Sequence, residues 1–260
     1  MLHGARVAVV VPAFHEERWI GGTIRTMPGF VDHVLVVDDR SGDRTAEEAR
    51  AVGDARVEVI RHEENRGVGA AIVTGYRRAL ALGASVVAVM AGDGQMDPDD
   101  LSGVVGPVIR GELDYVKGDR LAHPGVLRSM PPARLAGTAA LAYLTRLAAG
   151  LPRLSDSQCG YTAISADALR NLDLSAIWPR YGYPNDLLGA LALSGMRIGE
   201  VTVRPVYRGE ASGLRAYHLL TIGYLIGRVA YRRHRAGREL TPSSRPRSSP
   251  AGDRARSTAR

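Results

Sequence analysis

The segment MAGDGQMDP, residues 90 to 98, sets Asp93, Gln95 and Asp97 on alternate positions where an apolar run ends. Carboxylate and amide oxygens are the ligands that hard cations such as Mg2+ or Mn2+ prefer, and such a cation commonly shares its coordination with a phosphate. Asp97 has a simpler reading: an aspartate before proline is a good helix N-cap with proline in the first helical position. Asp93 and Gln95 remain as candidate metal ligands. Further acidic residues sit in comparable places. Glu16 follows RVAVVVPAFH, and Asp38 and Asp39 end HVLVVDD. Carboxylates at such positions can accept hydrogen bonds from a base N–H or from ribose hydroxyls. Asp43, in the same run, reads as the cap of the next helix.

These residues need elements to position them. RVAVVVP, HVLVVDD, RVEVIRH and SVVAVMAGD are near-continuous apolar runs, and they alternate with the helical patterns EERWIGGTIRTM, DRTAEEARAVG and GVGAAIVTGYRRALALG. That alternation predicts a parallel sheet covered on both faces. Ligands of such sheets bind at the carboxyl ends of the strands, and the polar residues lie there after each of the four runs, which points to one shared crevice. Beyond it, DYVKGDR and RIGEVTVRPVY read as further strands. PPARLAGTAALAYLTRLAAG, residues 185 to 195 and AYHLLTIGYLIGRVAYRRHR read as helices. A dinucleotide fingerprint is not supported, because GVGAAI follows the third strand and the first strand-helix turn, PAFHEERW, has no glycine.

The chain has 260 residues, 45% of them hydrophobic, enough for one large domain with an appendage. Nine arginines against Glu239 and Asp253 after position 231 account for the whole net charge of +7, so the body is neutral. A neutral body argues against a nucleic-acid-binding domain, whose basic face belongs to the fold. Cys159 is the single cysteine, which suits a reducing compartment. The start resembles no signal peptide, and no apolar run reaches the length of a membrane span.

The series VVVPAFHEE, VVDDRSGDRT, NRGVGAA, GDGQMDP, SDSQCGY and VYRGEASGLR resembles glycosyltransferase family 2, and within it the dolichol- or polyprenyl-phosphate hexosyltransferase (mannosyltransferase) branch, over about residues 6 to 235. The resemblance implies an α/β GT-A fold: a single Rossmann-like, mostly parallel sheet with flanking helices, plus a C-terminal amphipathic helix. It implies an inverting, metal-dependent transferase using Mg2+ or Mn2+. By that likeness Pro12, Phe14, Glu16, Asp38, Asp39, Gly69, Asp93, Arg208 and Ser212 contact the nucleotide sugar, and Asp93 with Gln95 holds the metal. Phe14-His15 stands where the family usually has Tyr-Asn, which leaves the donor, GDP- or UDP-hexose, open. Ala91 stands where the family usually has the first aspartate of Asp-x-Asp.

The acceptor sets the remaining chemistry. A sugar hydroxyl needs a general base, and Asp156 in SDSQCGY and Asp186 in YPNDLLGAL are the catalytic candidates. A polyprenyl phosphate, with a second pKa of about 6, needs none. By resemblance Arg120 and Arg134 hold that acceptor phosphate. The segment YHLLTIGYLIGRVAYRRHR, apolar with aromatics and basic at its end, suits a membrane interface. The expected layout is a catalytic domain over residues 1 to 212, an interfacial helix over 213 to 236 and a disordered basic tail over 237 to 260. The expected location is cytoplasmic, peripheral on the inner face of the plasma membrane, with no nucleic-acid partner. Two rival readings share these residues: a family 2 enzyme acting on a soluble small molecule or growing glycan, and a degenerate nucleotide-sugar-binding protein without turnover.

Overall fold

The computed structural model describes residues 1–206 and 216–239. Seven strands form one sheet: β1 Val7–Ala13, β2 His33–Asp38, β3 Val57–Arg61, β4 Val86–Val89, β5 Tyr115–Asp119, β6 Thr162–Ser165 and β7 Ile198–Thr202. Their order is β3-β2-β1-β4-β6-β5-β7. The four amino-terminal strands are parallel, as their continuous apolar runs require. β6 lies antiparallel between β4 and β5, and β7 runs parallel to β5. The residues after the SDSQCGY motif show no strand pattern in the sequence. β6 has four residues and runs straight into the helix Ala166–Arg170, too short a stretch to show strand periodicity.

The helices in chain order are α1 Ile20–Arg25, α2 Thr45–Ala51, α3 Val68–Ala81, α4 Leu101–Ile109, α5 Val126–Ser129, α6 Pro132–Ala149, α7 Ala166–Arg170, α8 Tyr183–Leu193 and α9 Ala216–Glu239. They cover both faces of the sheet. Alternate residues of β1 feed two cores, because side chains of a strand alternate between faces: Val7, Val9 and Val11 pack with Ile24, Leu101 and Val105, while Ala8 and Val10 pack with Ile72, Tyr76 and Leu188. Asp97 caps a short 3-10 turn, Pro98–Asp100, by accepting the Asp99 N–H at 3.0 Å.

α6 starts on Pro132 and stops at Gly150, whose φ of 71° is the left-handed conformation that ends helices. α9 packs on α6 and α8 through buried Ile222, Leu225 and Val229, and the Arg233 guanidinium donates to the Leu147 carbonyl at 3.1 Å. Large apolar side chains stay outside this packing: Tyr143, Leu144 and Leu147 on α6, and Leu219, Leu220, Tyr224 and Tyr231 on α9 are all about half exposed or more. Among the described residues no helix is long and apolar enough to cross a membrane. Of the expected interfacial helix over 213 to 236, residues 213 to 215 lie outside the described residues, and the described part of α9 runs from Ala216 to Glu239. The basic tail from residue 240 onward lies outside the described residues.

Candidate active site

The carboxyl ends of β1 to β4 open on a crevice of about 740 Å³. Pro12, Phe14 and Glu16 come from the end of β1, Asp39 from β2, Asn65 and Gly67 from the loop after β3, and Ala91 and Asp93 from the loop after β4. The four strand ends therefore do converge. Phe14 is 45% exposed and stacks on His15 with centroids 4.1 Å apart, so an aromatic pair stands at the mouth. The opposite wall has no counterpart in the sequence reading: Trp178, Arg180 and Tyr181 from the segment before α8, and His218 and Thr221 from α9.

The two aspartates after β2 differ in kind. Asp38 is fully buried and does not line the crevice; its Oδ1 accepts the Ser41 N–H at 2.9 Å and its Oδ2 meets Arg61 at 3.1 Å. That corrects the expectation that it contacts the donor. Asp39 lines the crevice, but its carboxylate also ties down the loop after β3, accepting the Arg66 and Gly67 N–H groups at 2.8 and 2.6 Å and contacting His62 Nδ1 at 2.7 Å. His62, on whose other side Thr74 lies at 3.0 Å, went unnoticed in the sequence because a lone histidine carries no pattern. Gly69 is also corrected. A Cβ there would lie 2.3 Å from the Trp178 carbonyl oxygen, so this glycine admits the opposite wall rather than a ligand. Asp39→Ala is expected to lose about 1 kcal/mol or more of stability, since buried His62 and the part-buried Arg66 and Gly67 N–H groups lose their acceptor. Urea unfolding checks it, and an unchanged midpoint would show the loop to be held by other contacts.

Asp93 stands where two cavities meet. It lines the large crevice and a second cavity of about 180 Å³ that Gln95, Arg120, Arg134, Gln158 and Arg204 also line. The Asp93 carboxylate accepts the Gln95 N–H at 2.9 Å, which closes the turn and leaves the carboxylate half-buried at the junction. Ala91 lines the large crevice, where its side chain contributes no oxygen. Among the described residues no group of three histidine, cysteine or acidic side chains could hold a metal ion alone. One carboxylate and one amide suit a Mg2+ or Mn2+ that takes its other ligands from water and a diphosphate. Arg204 is unforeseen; Asp97 at 3.0 Å and Asp100 at 3.2 Å hold it, so it fastens the exit of β7 to the turn after the metal motif.

Both candidate bases are corrected. Asp156 is fully buried, paired with Arg120 through two hydrogen bonds of 2.7 and 3.1 Å, and accepts the Gln158 and Cys159 N–H groups. Burial pushes its pKa up, but Arg120 and the nearby Lys117 outweigh burial and hold it below the ordinary carboxylate range. A carboxylate so stabilised is a weak base. Beneath it Lys117, also fully buried and lowered in pKa by burial, donates to the Cys159 carbonyl. Glu200 accepts the Ser155 and Asp156 N–H groups, and burial raises its pKa. Asp186 is 1% exposed in the first turn of α8, where it accepts the Trp178 N–H at 2.9 Å and pairs with Arg228 of α9. Neither carboxylate lines either cavity. Arg208 and Ser212 fall outside the described residues.

A seven-stranded mixed sheet of this order, with a crevice at its carboxyl edge and Asp93 where two cavities meet, is a GT-A architecture. The family model described as glycosyl transferase family 2 matches residues 8–173, and the chain belongs to that family. It is 31% identical to a UDP-N-acetylglucosamine–dolichyl-phosphate N-acetylglucosaminyltransferase of Methanococcus voltae, covering 85% of this chain and 92% of that one. It is 33% identical to an undecaprenyl-phosphate mannosyltransferase of Micrococcus luteus, covering 78% and 84%. The fold also matches mannosyl-3-phosphoglycerate synthase from Rubrobacter xylanophilus, with a TM-score of 0.66 and 21% identity over 95% of this chain and 79% of that one.

Proposed function

We propose that this chain transfers a hexose from a nucleotide sugar to a polyprenyl phosphate, with inversion at the anomeric carbon, as a peripheral protein on the inner face of the membrane. The observation that carries this reading is the state of the two candidate bases. With Asp156 and Asp186 both buried and committed to arginines, an acceptor that must lose a proton is poorly served, while a phosphate already dianionic near pH 7 is not. The relatives named for dolichyl and undecaprenyl phosphate support the same acceptor.

In this reading the donor lies in the large crevice and the acceptor phosphate in the cavity beyond Asp93, against Arg120 and Arg134. A phosphate oxygen attacks the anomeric carbon as the bond to the nucleoside diphosphate breaks, and the diphosphate leaves with the electron pair. Guanidinium groups stay charged and fit phosphate through a planar fork, so the two arginines hold the nucleophile in line. Asp93 and Gln95 would hold the Mg2+ or Mn2+, which neutralises charge on the leaving diphosphate. The exposed apolar residues of α6 and α9, with Arg232 and Arg235 beyond them, suit an anionic lipid surface.

Arg134→Ala tests the acceptor. Losing a charge-assisted hydrogen bond costs enough to raise the KM for polyprenyl phosphate about tenfold or more, with the donor KM close to the parent value. Initial rates against acceptor concentration at saturating donor give the answer. An unchanged acceptor KM would turn the reading toward a soluble hydroxyl acceptor.

A further inference from the structure

Helix α9 presents Leu219, Leu220, Tyr224 and Tyr231 outward, yet its His218 and Thr221 line the donor crevice together with Asp39 and Asp93. The His218 ring stacks on Tyr181 with centroids 4.1 Å apart and 13° between planes, and Tyr224 meets Trp178 edge-on at 6.4 Å. The Trp178–Tyr181 segment bears in turn on the far side of the crevice. Arg180 donates to the side chain and carbonyl of Asn65 at 3.2 Å, and the Pro179 carbonyl accepts the Ala70 N–H at 2.9 Å. α9 is therefore a wall of the crevice as well as an outer helix.

Apolar packing alone holds a helix loosely in rotation and register, because dispersion contacts are non-directional. Beside the apolar contacts of Ile222, Leu225 and Val229 and the Arg233–Leu147 hydrogen bond to α6, the contact of α9 with α8 carries a directional element. Asp186 Oδ2 accepts the Trp178 N–H and meets Arg228, and Oδ1 faces Arg232 at 3.7 Å. One buried carboxylate thus joins both halves of the wall. A charge buried to this degree is costly unless paired, which makes the paired arrangement strongly preferred over a shifted one.

We propose that Asp186 is a positioning residue for donor binding: through Arg228 and the Trp178 N–H it fixes α9 against the Trp178–Tyr181 segment, and His218 and Thr221 then touch the nucleotide sugar. This rests on the large crevice being the donor site, and it is independent of the acceptor's identity. The residue that the sequence offers as a base serves the site through the helix it holds.

The test is direct binding of UDP-glucose and GDP-mannose with Mn2+, without acceptor or lipid, measured by titration calorimetry. Loss of preorganisation in Asp186→Asn and Arg228→Met should weaken binding of whichever donor the parent takes by about tenfold. Arg228→Lys, which keeps the charge pair, should recover most of it. His218→Ala and Thr221→Val, on the crevice surface, should weaken binding with a smaller fall in thermal midpoint than Asp186→Asn. If Asp186→Asn does not fold, the Arg228 pair and the two wall variants decide. Parent affinity in Arg228→Met, or in both wall variants, overturns the proposal and leaves Asp186 a structural residue only. A parent that binds neither donor overturns the donor-site reading, and the proposal with it. A failed polyprenyl phosphate assay leaves these affinities untouched, so the two failures are distinguishable.

Discussion

Asp93→Asn is expected to cut turnover by about a hundredfold or more, the size of effect seen when one preorganised electrostatic stabiliser is removed. The substitution is close to isosteric, and the new amide oxygen can still accept the Gln95 N–H that closes the turn, so the loop keeps its shape. What is lost is the negative charge at the junction of the two cavities. With Ala91 in place of a second carboxylate, and Asp97 engaged with Arg204 and the Asp99 N–H, the lost charge is not replaced. The thermal midpoint should stay at the parent value while kcat falls, and higher Mn2+ should recover part of the rate. Full activity of Asp93→Asn in the presence of EDTA would sink the metal assignment.

Arg120→Met should do something different: it should destabilise the whole protein. Arg120 is 16% exposed and Asp156 beneath it is fully buried, and removing one partner of such a pair costs about 3–5 kcal/mol because the other charge is left uncompensated. For a chain of this size each kcal/mol lowers Tm by about 2–4 °C, so a fall of roughly ten degrees is expected. The pH dependence has a definite sign. In the parent, Asp156 is held below its ordinary range, so it contributes stability above the usual carboxylate pKa of 3.8 that is lost as pH falls through its lowered value. In Arg120→Met burial is less opposed, the Asp156 pKa shifts up, and protonation relieves the uncompensated charge. The gap in urea midpoint between parent and variant should therefore be wide at pH 7 and narrow below about pH 4. Equal midpoints at pH 7 would mean that the pair contributes nothing. Because Arg120 also lines the acceptor cavity, its variant confounds folding with binding, and Arg134→Ala remains the cleaner probe of the acceptor.

Much of this was legible in the residues. The apolar runs from Val7 to Val89 have strand length, end in polar residues, and alternate with helical spacing, which is enough to place Glu16, Asp39 and Asp93 around one crevice. Asp97 before Pro98 announced its capping role for the same reason: a cap depends on dihedral angles and donors within three residues. Local chemistry recorded in local sequence can be recovered from sequence.

The roles of Asp156, Asp186, Asp38 and Gly69 were not recoverable in that way. An aspartate in a motif looks the same whether it faces solvent or an arginine thirty residues away, and Arg120 and Asp156 are 36 positions apart. Asp186 meets an arginine on a helix that the chain reaches only after β7, and Gly69 yields to a carbonyl more than a hundred residues further on. The sequence by itself determined the strands, their polar ends and the family pattern, because hydrophobic periodicity and turn chemistry act over a few residues. Tertiary structure alone decided which carboxylates are left to face the crevice, because burial and ion pairing depend on contacts between distant segments.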